Sequence, residues 1–433
     1  MSHSQPTPAP VDQAGALGQR AWVALAIIFA LGFVHFWVRT TPVRLANPDD
    51  AVIQDIADTN RLELFARGNA LDQARFHFAT PLWGYTLTAP YKVHSPAAFS
   101  LLRALAWFAQ FGLAGWLVAR ATRNPAWGAA VAFGLMSLLH IPPTFYAVLS
   151  YPPFWVGFCG VLAALHCHLS YLRRPGLLPG LLTGAFFLLG YLMNEVFVLF
   201  LPAFFALSWL QPLPARTGRL RANLAPLTVV LAYVGVYLFF SRQFSSNYEG
   251  TQFSPDLKSA AQVVARQMLG ILPGFELVFN RIAPGEIGPH LRDAGQIRQT
   301  LSLTPWPDVL LGLTEGLALT GLLARCARET GAVVRHWPWI LVFAAGLNLP
   351  IAFSLKYQVF IFHRSFPYVY AFYSYFFLGL AGVAATAWLG QRLENYSLRP
   401  WFLGALGVVT VTLCLSAMAS NHRVLQILLQ KYN

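Results

Sequence analysis

The chain has 433 residues, of which 56% are hydrophobic and only 11% charged, with a mean hydropathy of +0.51. Ordinary soluble domains are roughly a quarter charged, and no soluble core could hide this much apolar surface, so a soluble enzyme is excluded. The net charge of +13 accompanies no basic helix, zinc spacing or aromatic RNA-binding motif, which excludes nucleic acid as a partner.

In chain order, residues 1–20 are polar and rich in Pro, Ser and Gln, and read as a disordered cytoplasmic N-terminus. The apolar run from Ala21 to Val38 is too long for a signal h-region and lacks a small-residue cleavage site, so it is an expected first span. Further apolar runs fall at 101–119, 126–141, 153–172, 177–193, 196–210, 224–240, 308–324, 337–354, 367–390 and 401–419, making eleven. The pair 177–193 and 196–210 is separated only by a polar step at Asn194-Glu195, and one kinked helix there would reverse every later segment. Charge favours two. With the N-terminus inside and the C-terminus outside, the cytoplasmic segments hold 13 arginines against three acids, Asp12, Glu329 and Glu394. The expected fold is therefore an all-α polytopic membrane protein, with a transmembrane domain over 21–419 and an extracytoplasmic tail over 420–433. Two long extracytoplasmic loops, 39–95 and 241–306, hold eleven acids between them, so chemistry is expected on that face.

The first long loop opens with Asn47-Pro48-Asp49-Asp50, a helix-start pattern followed by Val52, Ile53, Ile56 and Ala57 at helical spacing. An interfacial helix is expected, with its acidic end at the membrane surface. Adjacent helical residues diverge by about 100°, so the two carboxylates suit different tasks, one acting on an acceptor and the other binding a metal or orienting a partner. The alternative is that both are simply favourable residues at a helix start. Downstream, Leu71, Arg75 and Phe78 are expected on one helical face, where Arg75 can grip a phosphate or merely snorkel. His77 reads as an interfacial polar residue, and Trp83, Tyr85 and Tyr91 as an aromatic belt.

His140 precedes Pro142-Pro143 and is a candidate for an outer cavity. The four cysteines, Cys159, Cys167, Cys326 and Cys414, read as small apolar residues: Cys159 and Cys167 lie roughly 12 Å apart along one helix, too far for a disulfide. His166-Cys167-His168 resembles a metal motif, but consecutive helical residues cannot share one ion. Glu195 sits between two short spans, and an acid near membrane depth is a candidate for function. Arg242 is a weaker cation in the second long loop. Glu315 lies inside a span between Gly312 and Gly316, and a structural hydrogen bond across that helix contact is expected. Lys356, His363 and Arg364 form an outer cationic group suited to a lipid phosphate.

Three stretches then carry a resemblance. Asp49-Asp50 followed by QARFHF, the segment LLGYLMNEVFVLFLP (188–202) and FHRSFPYVY (362–370) resemble motifs of the GT-C class of integral-membrane glycosyltransferases. Family members carry Gly where this chain has Ala74, and Lys where it has Asn194. The resemblance implies a GT-C-like fold in a bacterial inner membrane, with the active site facing the periplasm. It implies sugar transfer, with inversion, from a polyprenyl-phosphate donor to a glycan, lipid or protein acceptor. Asp49 or Asp50 would be the general base, Arg75, Lys356, His363 and Arg364 would hold the donor phosphate, and His77, His140, Glu195 and Arg242 are further cavity candidates. A divalent cation, Mg or Mn, at Asp49 and Asp50 is compatible with the class. An O-antigen-type polymerase or ligase and a lipid or solute transporter are the alternative functions.

Overall fold

The structure is a computed structural model that describes residues 18–46, 48–141, 146–211, 218–244, 252–274, 302–328, 332–362, 371–393 and 398–432. Among the described residues there is no β-strand, only one isolated bridge between Phe253 and Ser354. Among the described residues, seven helices are long and apolar enough to cross a membrane. They are α1 (Gln19–Thr40), α5 (Pro96–Thr122), α7 (Pro152–Arg173), α11 (Leu224–Gln243), α13 (Trp306–Cys326), α17 (Ala371–Arg392) and α18 (Arg399–Tyr432). The chain has the helices of a multi-pass, all-α membrane protein.

The four other apolar runs form shorter or broken helices. α6 (Pro125–Ser137) stops four residues before the expected end. α8 (Leu177–Met193) ends at Asn194, whose side chain accepts from Val196 N and starts a 3-10 turn (Glu195–Phe200) that continues into α9 (Leu201–Leu210); the one-turn α10 (Arg219–Ala222) comes next before α11. At its far end, the Gln211 amide donates to Ala121 O at 2.9 Å, so this pair runs back to the level of the α5 C-terminus. The 337–354 run is not one helix. It breaks at Asn348 into α14 (Trp337–Gly346) and α15 (Leu349–Ala352), and Asn348 donates to Ser374 Oγ at 2.8 Å. Over the expected extracytoplasmic tail after 419 the chain continues α18 to Tyr432, with Val424, Leu425 and Leu428 buried.

Close helix approaches depend on missing side chains. A Cβ on Gly115 would lie 2.6 Å from Gly128 O, and one on Gly128 would lie 2.5 Å from Gly115 O, so α5 and α6 meet backbone to backbone. Gly312 and Gly316 face Met418 and Val411 of α18. Glu315 does not bridge that contact, contrary to the sequence expectation: it turns toward Gly32 on α1 and Ser137 on α6.

Both long loops carry surface helices. The first folds as α2 (Pro48–Thr59), α3 (Leu62–Gln73) and α4 (Pro81–Thr88). The second contributes α12 (Leu257–Gly270), which begins at the Asp256 cap, where Asp256 Oδ1 accepts from Lys258 N and Ser259 N. Gln358, on α16 (Leu355–Phe362), ties this loop to its neighbours by donating to Ser254 O, Asp256 O and Ala352 O.

Candidate functional site

Asp49 and Asp50 both lie in the first turn of α2, and their environments differ completely. Asp49 is exposed. Asp50 is fully buried; its Oδ2 accepts from Ala46 N at 2.6 Å and its Oδ1 from the Tyr91 hydroxyl at 3.0 Å. That hydroxyl is also 2.7 Å from Ser150 O and donates between the two acceptors. Burial, and then the charge of Asp50, push the Tyr91 phenol well above its ordinary value, so it remains a donor. Arg103, buried in α5, adds a positive charge close enough to act on both Asp50 and Tyr91, while donating to Thr40 O (3.1 Å) and Val43 O (3.0 Å). This clamp fixes the turn that leads from α1 into α2. Tyr91 and Trp83 are buried in it and under it, so of the expected aromatic belt only Tyr85 is exposed.

The second polar centre joins two of the stretches that carried the resemblance. α3 does not run through Arg75. It ends at Gln73, and Ala74 takes a left-handed conformation at φ 50°. The reversal swings Arg75 and His77, on the following 3-10 turn (Phe76–Ala79), toward the α8–α9 corner. Arg75 Nη2 lies 3.0 Å from Glu195 Oε1, and His77 Nδ1 lies 3.0 Å from Glu195 Oε2. Burial opposes the ionisation of Glu195, but Arg75 and His77 outweigh it and hold the carboxyl well below the usual carboxylate range. Tyr191 and Tyr233 lie beside this group with tilted rings, centroids 4.7 Å apart, and their buried hydroxyls have no hydrogen-bond partner among the described residues. A left-handed alanine costs roughly 1–2 kcal/mol, partly offset by the greater unfolded-state freedom of glycine. Ala74→Gly is therefore expected to stabilise the protein by about 0.5–1 kcal/mol, read as a raised unfolding temperature in detergent; a lowered one contradicts this account.

The two centres are linked. The His77 ring stands edge-on to Trp83, Trp83 Nε1 donates to the Tyr151 hydroxyl at 3.0 Å, and the neighbouring Ser150 carbonyl receives Tyr91. Beside them α2, α3, α4 and Phe240 wall a cavity of about 660 Å³, whose lining includes Glu63, Arg67, Tyr85 and Lys92. Lys92 donates to Asn60 Oδ1 at 2.9 Å across its rim.

The remaining candidates lie apart from this group or outside the described residues. His140 is buried and its Nδ1 lies 3.1 Å from Gly270 O at the end of α12. Arg242 is exposed on the last turn of α11, and Lys356 is half-buried on α16. His363 and Arg364 fall outside the described residues, as does most of the third resembling stretch. His166 and His168 point to different neighbours, Leu113 O and Phe204 O. No group of three or more His, Cys, Asp or Glu able to hold a metal occurs among the described residues. Asp50, facing two protein donors, is poorly placed to share an ion with Asp49.

Sequence reasoning missed Arg67, Lys92 and Arg103. Arg103 had a usable signal, because it is a lone charge in an otherwise apolar stretch. No protein-family model, curated protein or solved structure matches the chain.

Proposed function

We propose that the chain is an integral-membrane glycosyltransferase that moves a sugar from a polyprenyl-phosphate carrier to an acceptor outside the cytoplasm, in an eleven-span arrangement in a bacterial inner membrane. The observation that carries this reading is the cavity of about 660 Å³ on the first-loop helices, lined by Arg67 and Lys92. Two cations in a partly apolar cleft suit a phosphate on a lipid, whose leaving charge they would stabilise. Asp49 lies seven residues before Ile56, a cavity residue, so both fall on one face of α2 about 10 Å apart. Of the two aspartates it is the exposed one, and it is the base in this reading. It removes the proton of the acceptor hydroxyl as that oxygen bonds to the anomeric carbon, while the bond from that carbon to the phosphate oxygen breaks and the polyprenyl phosphate departs with the electron pair. In-line displacement inverts the sugar. Arg75, paired with Glu195, acts by holding the wall of the site.

The test is transfer of labelled sugar from polyprenyl-phosphate donors to endogenous acceptors in membranes that contain the protein. Asp49→Asn is expected to reduce transfer by roughly a hundredfold or more while leaving the protein folded. Full activity in that variant removes Asp49 as the base, and absence of transfer by the wild type from every such donor removes the reading.

A further inference from the structure

At the start of α13, Asp308 accepts from Arg39 Nε at 3.1 Å and is also bound by Arg39 Nη2; His35 Nε2 lies 2.9 Å from it and His422 Nδ1 3.6 Å. Seven residues further, on the same face and about 10 Å deeper, is Glu315. It is 1% exposed, and among the described residues its Oε2 has no hydrogen-bond partner and, unlike Asp308, it faces no cation. Around it stand Gly32 and Met136, the Ser137 hydroxyl on α6, the Cys414 thiol on α18 and the Tyr375 hydroxyl on α17, which donates to Leu135 O at 2.5 Å. A small cavity of about 50 Å³ joins the two carboxyls, its lining including His35, Arg39, Asp308, Glu315, Asn421 and His422. That volume accommodates one or two waters.

An ionised carboxylate buried without a cation beside it costs several kcal/mol, and a proton removes most of that cost. We propose that the cleft between α1, α13 and α18 is a proton-binding site, with Glu315 as the carrier and His35, His422 and Asp308 as its mouth on the face that bears the first long loop. A proton taken from water by an imidazole passes through water in the cleft to Glu315 Oε2, leaving the imidazole neutral and the carboxyl uncharged. Release reverses these transfers and leaves one negative charge inside the helix bundle. Gly32 brings α1 close against the carboxyl: a Cβ there would lie 3.0 Å from Glu315 Oε1. Loading and unloading therefore act on the helix that leads directly into the Asp49–Asp50 turn.

The test uses the full chain reconstituted in vesicles with the first loop outward, the lumen buffered at constant pH, and dicyclohexylcarbodiimide, which reacts with protonated carboxyls in apolar surroundings. Modified residues are mapped by mass spectrometry on the unaltered protein, so no variant has to fold. Glu315 is expected to be modified in acidic outer buffer, with a rate that falls about tenfold per pH unit once the carboxyl ionises. No modification of Glu315 in any buffer, a rate indifferent to outer pH, or a rate that follows only the lumen would each overturn the proposal.

Discussion

Asp50→Asn is expected to destabilise the protein by about 3–5 kcal/mol, the range for removing one partner from a buried charge group. The carboxylate satisfies two donors at once, Ala46 N and the Tyr91 hydroxyl, and answers the buried charge of Arg103. An amide supplies one acceptor and one donor, so one of those two contacts becomes donor against donor, and Arg103 keeps the Thr40 and Val43 carbonyls but loses its anion. Asp49→Asn changes an exposed residue in the same turn and is expected to stay within about 0.5 kcal/mol of wild type. Thermal unfolding of the two purified variants in one detergent distinguishes them. Equal unfolding temperatures would show that the buried clamp does not hold the α1–α2 turn.

Glu195→Gln is the second large effect, expected to cost about 2–3 kcal/mol, below the fully buried range because the side chain is 27% exposed. The substitution leaves Arg75 without its anion and the fully buried His77 without its acceptor. The folded-state carboxyl is held below its ordinary value. Its stabilising contribution is therefore fully present above the ordinary carboxylate range and is lost as pH falls through the lowered folded value. The deficit of the Gln variant is expected to be constant from neutral to mildly acidic pH and to shrink only in strong acid. A deficit that disappears already at mildly acidic pH would mean that the pair is not formed as described.

These two sites also show how far the sequence could be read. The Pro48-Asp49-Asp50 start, the surface helix after it and the separation of the two carboxylates follow from capping chemistry and the helical repeat, which are local properties. The role of Asp50 was not legible, because Tyr91 and Arg103, 41 and 53 positions further along the chain, supply its surroundings. The break at Ala74 was missed because alanine favours helix, and only packing against the α8–α9 corner forces it left-handed. The GxxxG spacing correctly marked a close helix contact, yet it did not show that Glu315 points away from that contact toward α1 and α6.

By itself the sequence determined that this is a helical membrane protein, where most of its apolar helices run, and that its acids gather in two long loops. Hydropathy and helical period are properties of neighbours along the chain, and they survive without knowledge of the fold. Only the tertiary structure decided that Arg75 and His77 meet Glu195, that Asp50 is buried while Asp49 is exposed, and that Glu315 lies buried below the Asp308 cluster. Each of those depends on which helices pack together, and burial and charge pairing arise only at that stage.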